Sequence, residues 1–248
     1  MKLQTRKFVS MLVAFVIILV CAVPALATES SDATGYAVNQ NGETYGNYLE
    51  ALEIGYEADL ILAEGIDGTL GYVKTIDLDD NVETPSDVVL QTGNTVIPLY
   101  ASDGITIVGQ FLIVAQDTMP PQTREDYVYS ASKTVSNGYY QPIILSGIKG
   151  SPGGVTAMTQ VIATGSVDTR HVGVNVRCYR ESNGALVKSS GWKYNTSPTS
   201  VFSYEMFYRN PYTSNQFYSC GEVKVFNPIS GEFTSYTTYR TTFAYPEP

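Results

Sequence analysis

The chain has 248 residues, of which 44% are apolar and 16% charged, with a formal net charge of −9. That balance excludes a disordered chain, a collagen and a coiled coil, and the acidic excess argues against a nucleic-acid partner. The length suffices for one or two domains, each able to bury a core.

Lys2, Arg6 and Lys7 precede an apolar run from Phe8 to Val20, broken only by Ser10. Pro24-Ala25-Leu26-Ala27 then offers a small-x-small cleavage site before Thr28. This order predicts a secretory signal peptide over residues 1–27, because the apolar core is short for a bilayer span and a processing site follows it. The alternative is an uncleaved N-terminal anchor. A lipid anchor on Cys21 is disfavoured by Val20, where a small residue is required. The expected mature chain begins at Thr28, is secreted, and meets a membrane only through its signal peptide.

Charge is unevenly spread. Thr28 to Asp126 holds 18 acids and two bases, whereas Tyr127 to Pro248 holds 6 acids and 10 bases. Two compositions predict two domains. The expected division is an acidic β-rich module over 28–115, a linker over 116–126 containing Pro120-Pro121, and a Tyr-rich domain over 127–248. The opposite signs favour docking of the halves, an attraction that salt weakens.

In chain order, Asn41-Gly42 lies between Tyr36-Ala37-Val38 and Thr44-Tyr45, a hairpin signal because Asn-Gly tolerates positive φ. Tyr48 to Ile54 predicts a helical turn. Asp67-Gly68 and Asp103-Gly104 each separate two apolar runs and predict further hairpins. Thr84-Pro85-Ser86-Asp87 predicts a short capped helix with proline at its first position. In the second half, Val172, Val174, Val176 and Cys178 alternate with polar residues, and Asn183-Gly184 turns the chain into Ala185-Leu186-Val187. Other strands are expected at 127–135, 139–145, 155–163, 201–208, 216–226 and 232–243. The fold class is therefore mainly β: a small hairpin-rich N-terminal domain followed by an antiparallel β-sandwich.

Tyr36-Ala37-Val38-Asn39, Gly42, Thr44-Tyr45-Gly46, Asp67-Gly68-Thr69, Gly71-Tyr72-Val73, Asp77-Leu78, Ile97-Pro98-Leu99-Tyr100 and Gly109-Gln110-Phe111 carry a resemblance over residues 36–113. The segment resembles a module of secreted and membrane-anchored proteins of Gram-positive bacteria, a module that implies no particular activity. Gly71-Tyr72-Val73 followed by Asp77-Leu78 is also similar to the end of bacterial SH3-like domains, which bind cell-wall peptide. Leu186 to Asn195 and the Tyr-rich ending resemble domains of other secreted Gram-positive proteins.

Catalytic signatures are scarce. His171 is the sole histidine, and there is no Gly-x-Ser-x-Gly elbow, so a catalytic triad would have to use His171; the plain reading is a strand-face residue. One histidine and widely spaced cysteines do not suit structural zinc, and Gly150-Ser151-Pro152-Gly153-Gly154 lacks the lysine and helix of a phosphate loop. Asp77, Asp79, Asn81 and Glu83 place oxygen ligands at alternate positions, a pattern suited to calcium, although Val82 and Val88 break the EF-hand spacing. The alternative is a solvated acidic loop.

Tyrosine-rich strands suit either cross-strand packing or a recognition face, and Trp192, Tyr194 and Tyr204 are the candidates for such a face. Cys178 and Cys220, the cysteines left after signal removal, predict a disulfide, with a bulge at Gly221 turning Cys220 towards the core. Two buried free thiols are the alternative. Two function classes follow. One is a secreted non-enzymatic binder of cell-wall polymer, glycan or another extracellular protein; the other is a secreted hydrolase that uses carboxylates on glycan or wall material.

Overall fold

Short apolar runs separated by Asn-Gly and Asp-Gly pairs fold as antiparallel hairpins in a computed structural model, which describes residues 30–31, 35–115 and 127–248. The expected signal peptide and the expected linker lie outside the described residues. After the two-residue strand β1 (Ser30–Ser31), β2 (Ala37–Val38) and β3 (Thr44–Gly46) flank Asn41-Gly42. Strands β4 (Leu60–Glu64) and β5 (Leu70–Lys74) flank Asp67-Gly68, and β6 (Thr95–Tyr100) and β7 (Ile107–Ile113) flank Asp103-Gly104. The loop at Asn183-Gly184 needs a left-handed residue, and Gly184 supplies it with a φ of 65°.

Helix α1 (Tyr48–Ile54) forms where a helical turn is expected, and its caps explain why. The Asn47 side chain accepts from the backbone N–H of Leu49 (2.8 Å) and Glu50 (3.2 Å), while Glu50 Oε2 accepts from the Asn47 N–H at 2.8 Å. The expected helix at Thr84 is a single turn instead. Asp87 accepts from both the Thr84 N–H (2.9 Å) and its hydroxyl (2.7 Å), which closes the turn rather than opening a helix. A one-turn helix, α2 (Thr75–Leu78), stands where the acidic loop begins.

Two sheets make up the C-terminal half. The smaller runs in the order β14 (Thr199–Arg209), β11 (Gly154–Val167), β10 (Ile143–Ser151), β8 (Val128–Tyr129), with β9 (Lys133–Thr134) also beside β10. The larger has β12 (Val172–Arg180) at its centre, between β13 (Leu186–Tyr194) and β16 (Glu222–Asn227), with β17 (Glu232–Thr237) outermost. Val174, Val176, Cys178 and Val223 pack from the larger sheet towards Ile148, Val155, Val161 and Met206 of the smaller. This is the antiparallel sandwich that the alternation predicts.

The larger sheet continues into the first half of the chain. Strand β13 pairs in parallel with β4 (Leu186↔Ala63) and with β7 (Ser189↔Ile113). The pairings β4–β5–β6–β7–β13–β4 therefore form a closed circuit. Ile61, Ala63, Val73, Leu99, Phe111 and Leu186 share its core. Tyr48 of α1 stacks on Tyr179 with ring centroids 4.3 Å apart, and Tyr179 stacks on Tyr218 at 5.3 Å.

The expected disulfide is not formed: Cys178 and Cys220 are both buried free thiols. The bulge that would have brought them together is absent. Strand β15 (Phe217–Ser219) and β16 pair with β12 in one unbroken register, Cys178 opposite Ser219 on one side of the Cys220-Gly221 break and Asn175 opposite Glu222 on the other. Strict alternation then puts Cys220 on the Tyr179 side of the sheet and Cys178 on the Val176 side.

Candidate functional site: a charged cleft over β12 and β16

The second face of β12, read locally as polar and solvated, is buried. Asn175 and Arg177 alternate with the valines that fill the sandwich, so they point to the opposite side, where the acidic first half covers them. Arg177 is only 2% exposed. Its Nη1 donates to both carboxylate oxygens of Glu57, at 2.9 and 3.0 Å, and its Nη2 lies 2.6 Å from Glu222 Oε2. A guanidinium is suited to this position because its planar fork serves two carboxylates at once.

Lys224, two residues beyond Glu222 on the same face of β16, repeats the arrangement. Its side chain is 6% exposed and its ammonium lies 2.5 Å from Asp79 Oδ1 and 2.7 Å from Asp80 Oδ1. The ammonium also sits 4.4 Å from the Trp192 ring centroid, a cation–π distance. Tyr194 donates from its hydroxyl to Asp80 Oδ2 at 2.8 Å. Between these groups opens a cleft of about 380 Å³ whose walls include Asp59, Thr75, Ile76, Trp192 and Ser235. The indole N–H of Trp192, in that wall, has no hydrogen-bond partner.

Four carboxylates gather around two cations, and their environments separate them. Burial pushes the Glu222 carboxyl above its ordinary range, and the neighbouring negative charges of Glu57 and Asp79 add to this against the pull of Arg177. Burial works the same way on Asp79, but the hydrogen bond and charge of Lys224 outweigh it and hold Asp79 below its ordinary value. Glu222 and Asp79 are thus shifted in opposite directions within one cleft.

The sequence-predicted site residues are distributed differently from expectation. Of Asp77, Asp79, Asn81 and Glu83, Asp79 pairs with the Lys224 ammonium. Among the described residues, no group of three or more His, Cys, Asp or Glu is arranged to hold a metal. Trp192 and Tyr194 form no exposed recognition face. They are buried, packed with Val88, Val82 and Phe233, and Lys224 covers the Trp192 ring. Tyr204 is half-buried and donates to the Ala115 carbonyl at 3.1 Å. His171 lies in the turn before β12 with its ring against Phe226, 4.8 Å between centroids. No helix among the described residues is long and apolar enough to cross a membrane.

Sequence reasoning missed Arg177, Lys224, Glu57 and Glu222. The available signal was the charge asymmetry: a basic second half facing an acidic first half appears here as Arg177–Glu57, Arg180–Glu64 and Lys224–Asp79 pairs. Comparison with known protein families, with curated proteins and with solved structures finds no match.

Proposed function

We propose that this chain is a secreted, non-enzymatic binding protein of the bacterial envelope, whose charged cleft takes an uncharged, polyhydroxylated stretch of a wall glycan. The observation that carries this reading is the saturation of the cleft's cations. Arg177 and Lys224 are each already held by two carboxylates of the chain itself, so an anionic polymer would have to break buried ion pairs to bind. Neutral hydroxyls, by contrast, can donate to the free lone pairs of those carboxylates without displacing either cation. Export is supported by the basic, apolar and small-residue order of residues 1–27, and an envelope partner by the resemblance of residues 36–113 to secreted and membrane-anchored proteins.

Incubation of the purified protein with insoluble cell wall tests the reading. Retention on the wall without release of soluble sugar is expected, with loss of retention in the Lys224→Met variant. A protein that stays in solution would overturn it.

The presence of two carboxylates, Glu222 and Asp79, in the wall of one cleft favours a second reading, a glycan hydrolase that uses them as its acid pair. Release of soluble fragments by the unaltered protein, abolished by Glu222→Gln, would establish this alternative.

A further inference from the structure

Lys74 forms a lysine–carboxylate pair as Lys224 does, with one carboxylate in place of two. Its ammonium pairs with Glu43 Oε1 at 2.9 Å and lies 5.3 Å from the Tyr100 ring centroid, as Lys224 pairs with Asp79 and Asp80 beside the Trp192 ring. Lys74 and Glu43 belong to a further cleft of about 370 Å³. Its wall includes Asp59, Thr75 and Ile76, the same three residues that form one wall of the first cleft. Helix α2 is thus a low partition between two similar sites, and Ile76 on it is 67% exposed, an apolar side chain left in water between two polar clefts.

From this repetition we infer that the two clefts are consecutive subsites of one groove for a chain of repeating neutral sugars, with the face of a ring resting on Ile76. The inference rests on the proposed glycan-binding role and names the length and chemistry of the ligand. Two clefts sharing a wall suit a ligand made of like units, since each unit then meets a lysine–carboxylate pair. Each lysine already pairs with a carboxylate of the chain itself, which favours uncharged units. Linked subsites gain affinity because the second is filled without a second loss of translational freedom.

Titration of the whole mature protein with N-acetylglucosamine oligomers of increasing length tests the groove by calorimetry. The tetramer and hexamer are expected to bind roughly tenfold or more tightly than the dimer. Lys74→Met brings hexamer affinity down to that of the dimer, while Lys133→Met, away from both clefts, keeps the gain with length; thermal melts show that both variants are folded. Equal affinity for dimer and hexamer would overturn the groove and leave single-site binding standing. Absence of binding to every member of the series would overturn the groove, and retention on insoluble wall would then show whether the binding function fails with it.

Discussion

Cys220 stands opposite Arg177, not opposite Cys178: its backbone N–H donates to the Arg177 carbonyl at 3.3 Å. The two cysteines are therefore near neighbours in the sheet that face away from each other. Burial pushes the Cys178 thiol up to about 12 and the Cys220 thiol up to about 11, which suppresses the reactive thiolate of each. Alkylation of the unfolded, non-reduced protein lacking residues 1–27 is expected to add two groups per chain by mass spectrometry, and alkylation of the native protein none on the same timescale. A chain that takes no label when unfolded would contradict the register.

Arg177 offers a sharper test of the buried face. Arg177→Met leaves Glu57 and Glu222 without their cation, and breaking a buried pair in this way costs about 3–5 kcal/mol. Arg177→Lys keeps the charge but not the fork, and we expect it to lose more than about 1 kcal/mol as well. Urea denaturation measures both. Wild-type stability in Arg177→Lys would show that geometry is unimportant there.

Glu222 and Asp79 should shape opposite limbs of the stability–pH curve. Asp79 is held below its ordinary 3.8, so its contribution is complete above that value and is lost as pH falls through the lower native one. Glu222 is raised above its ordinary 4.5, so its contribution is present below that value and is lost as pH rises through the higher native one. Melting temperatures measured from acid to neutral pH should show a flatter acid limb in Asp79→Asn. Glu222→Gln should flatten the decline on the other side. Parallel curves for both variants and the parent would refute the assignment.

Lys193 is a burial without a counter-charge. Its ammonium donates to Gln91 Oε1 at 3.2 Å and lies 5.4 Å from the Tyr204 ring centroid, and burial alone lowers its pKa from 10.5 to about 8. The unfolded chain binds the proton more tightly, so native stability should rise with pH between those two values. Lys193→Met at neutral pH should stabilise the fold by about 1 kcal/mol, a rise of roughly 2–4 °C in a chain of this size. A lower melting temperature would show that the lysine is needed where it is.

What was legible in the sequence is what depends on neighbours along the chain. Asn41-Gly42, Asp67-Gly68, Asp103-Gly104 and Asn183-Gly184 announce their turns because positive φ is a local demand, and Tyr48 to Ile54 announces α1, although the Asn47–Glu50 capping box that starts it was not read. Arg177 and Lys224 were illegible because a polar phase in a strand reads as solvent-facing whether water or a second layer of protein covers it. Trp192 looked like a surface anchor for the same reason; Val88, far away in sequence, covers it. At Gly221 a local rule was applied in the wrong sense. The glycine is there because an added Cβ would lie 1.9 Å from Thr159 Oγ1 and 2.7 Å from the Asn175 carbonyl, and no bulge is involved.

The closed circuit of β4, β5, β6, β7 and β13 also sets an order of events. Its last member is separated from β7 by the five strands β8 to β12, so the ring cannot shut until Leu186 and Ser189 have been synthesised and brought back to Ala63 and Ile113. Such distant pairings are entropically expensive and slow to form. A chain synthesised N-terminus first therefore has its acidic half still open until β13 is made, after β10 to β12 of the second core. Delay of that kind leaves the apolar strands β4 to β7 unprotected until the final third of the molecule arrives.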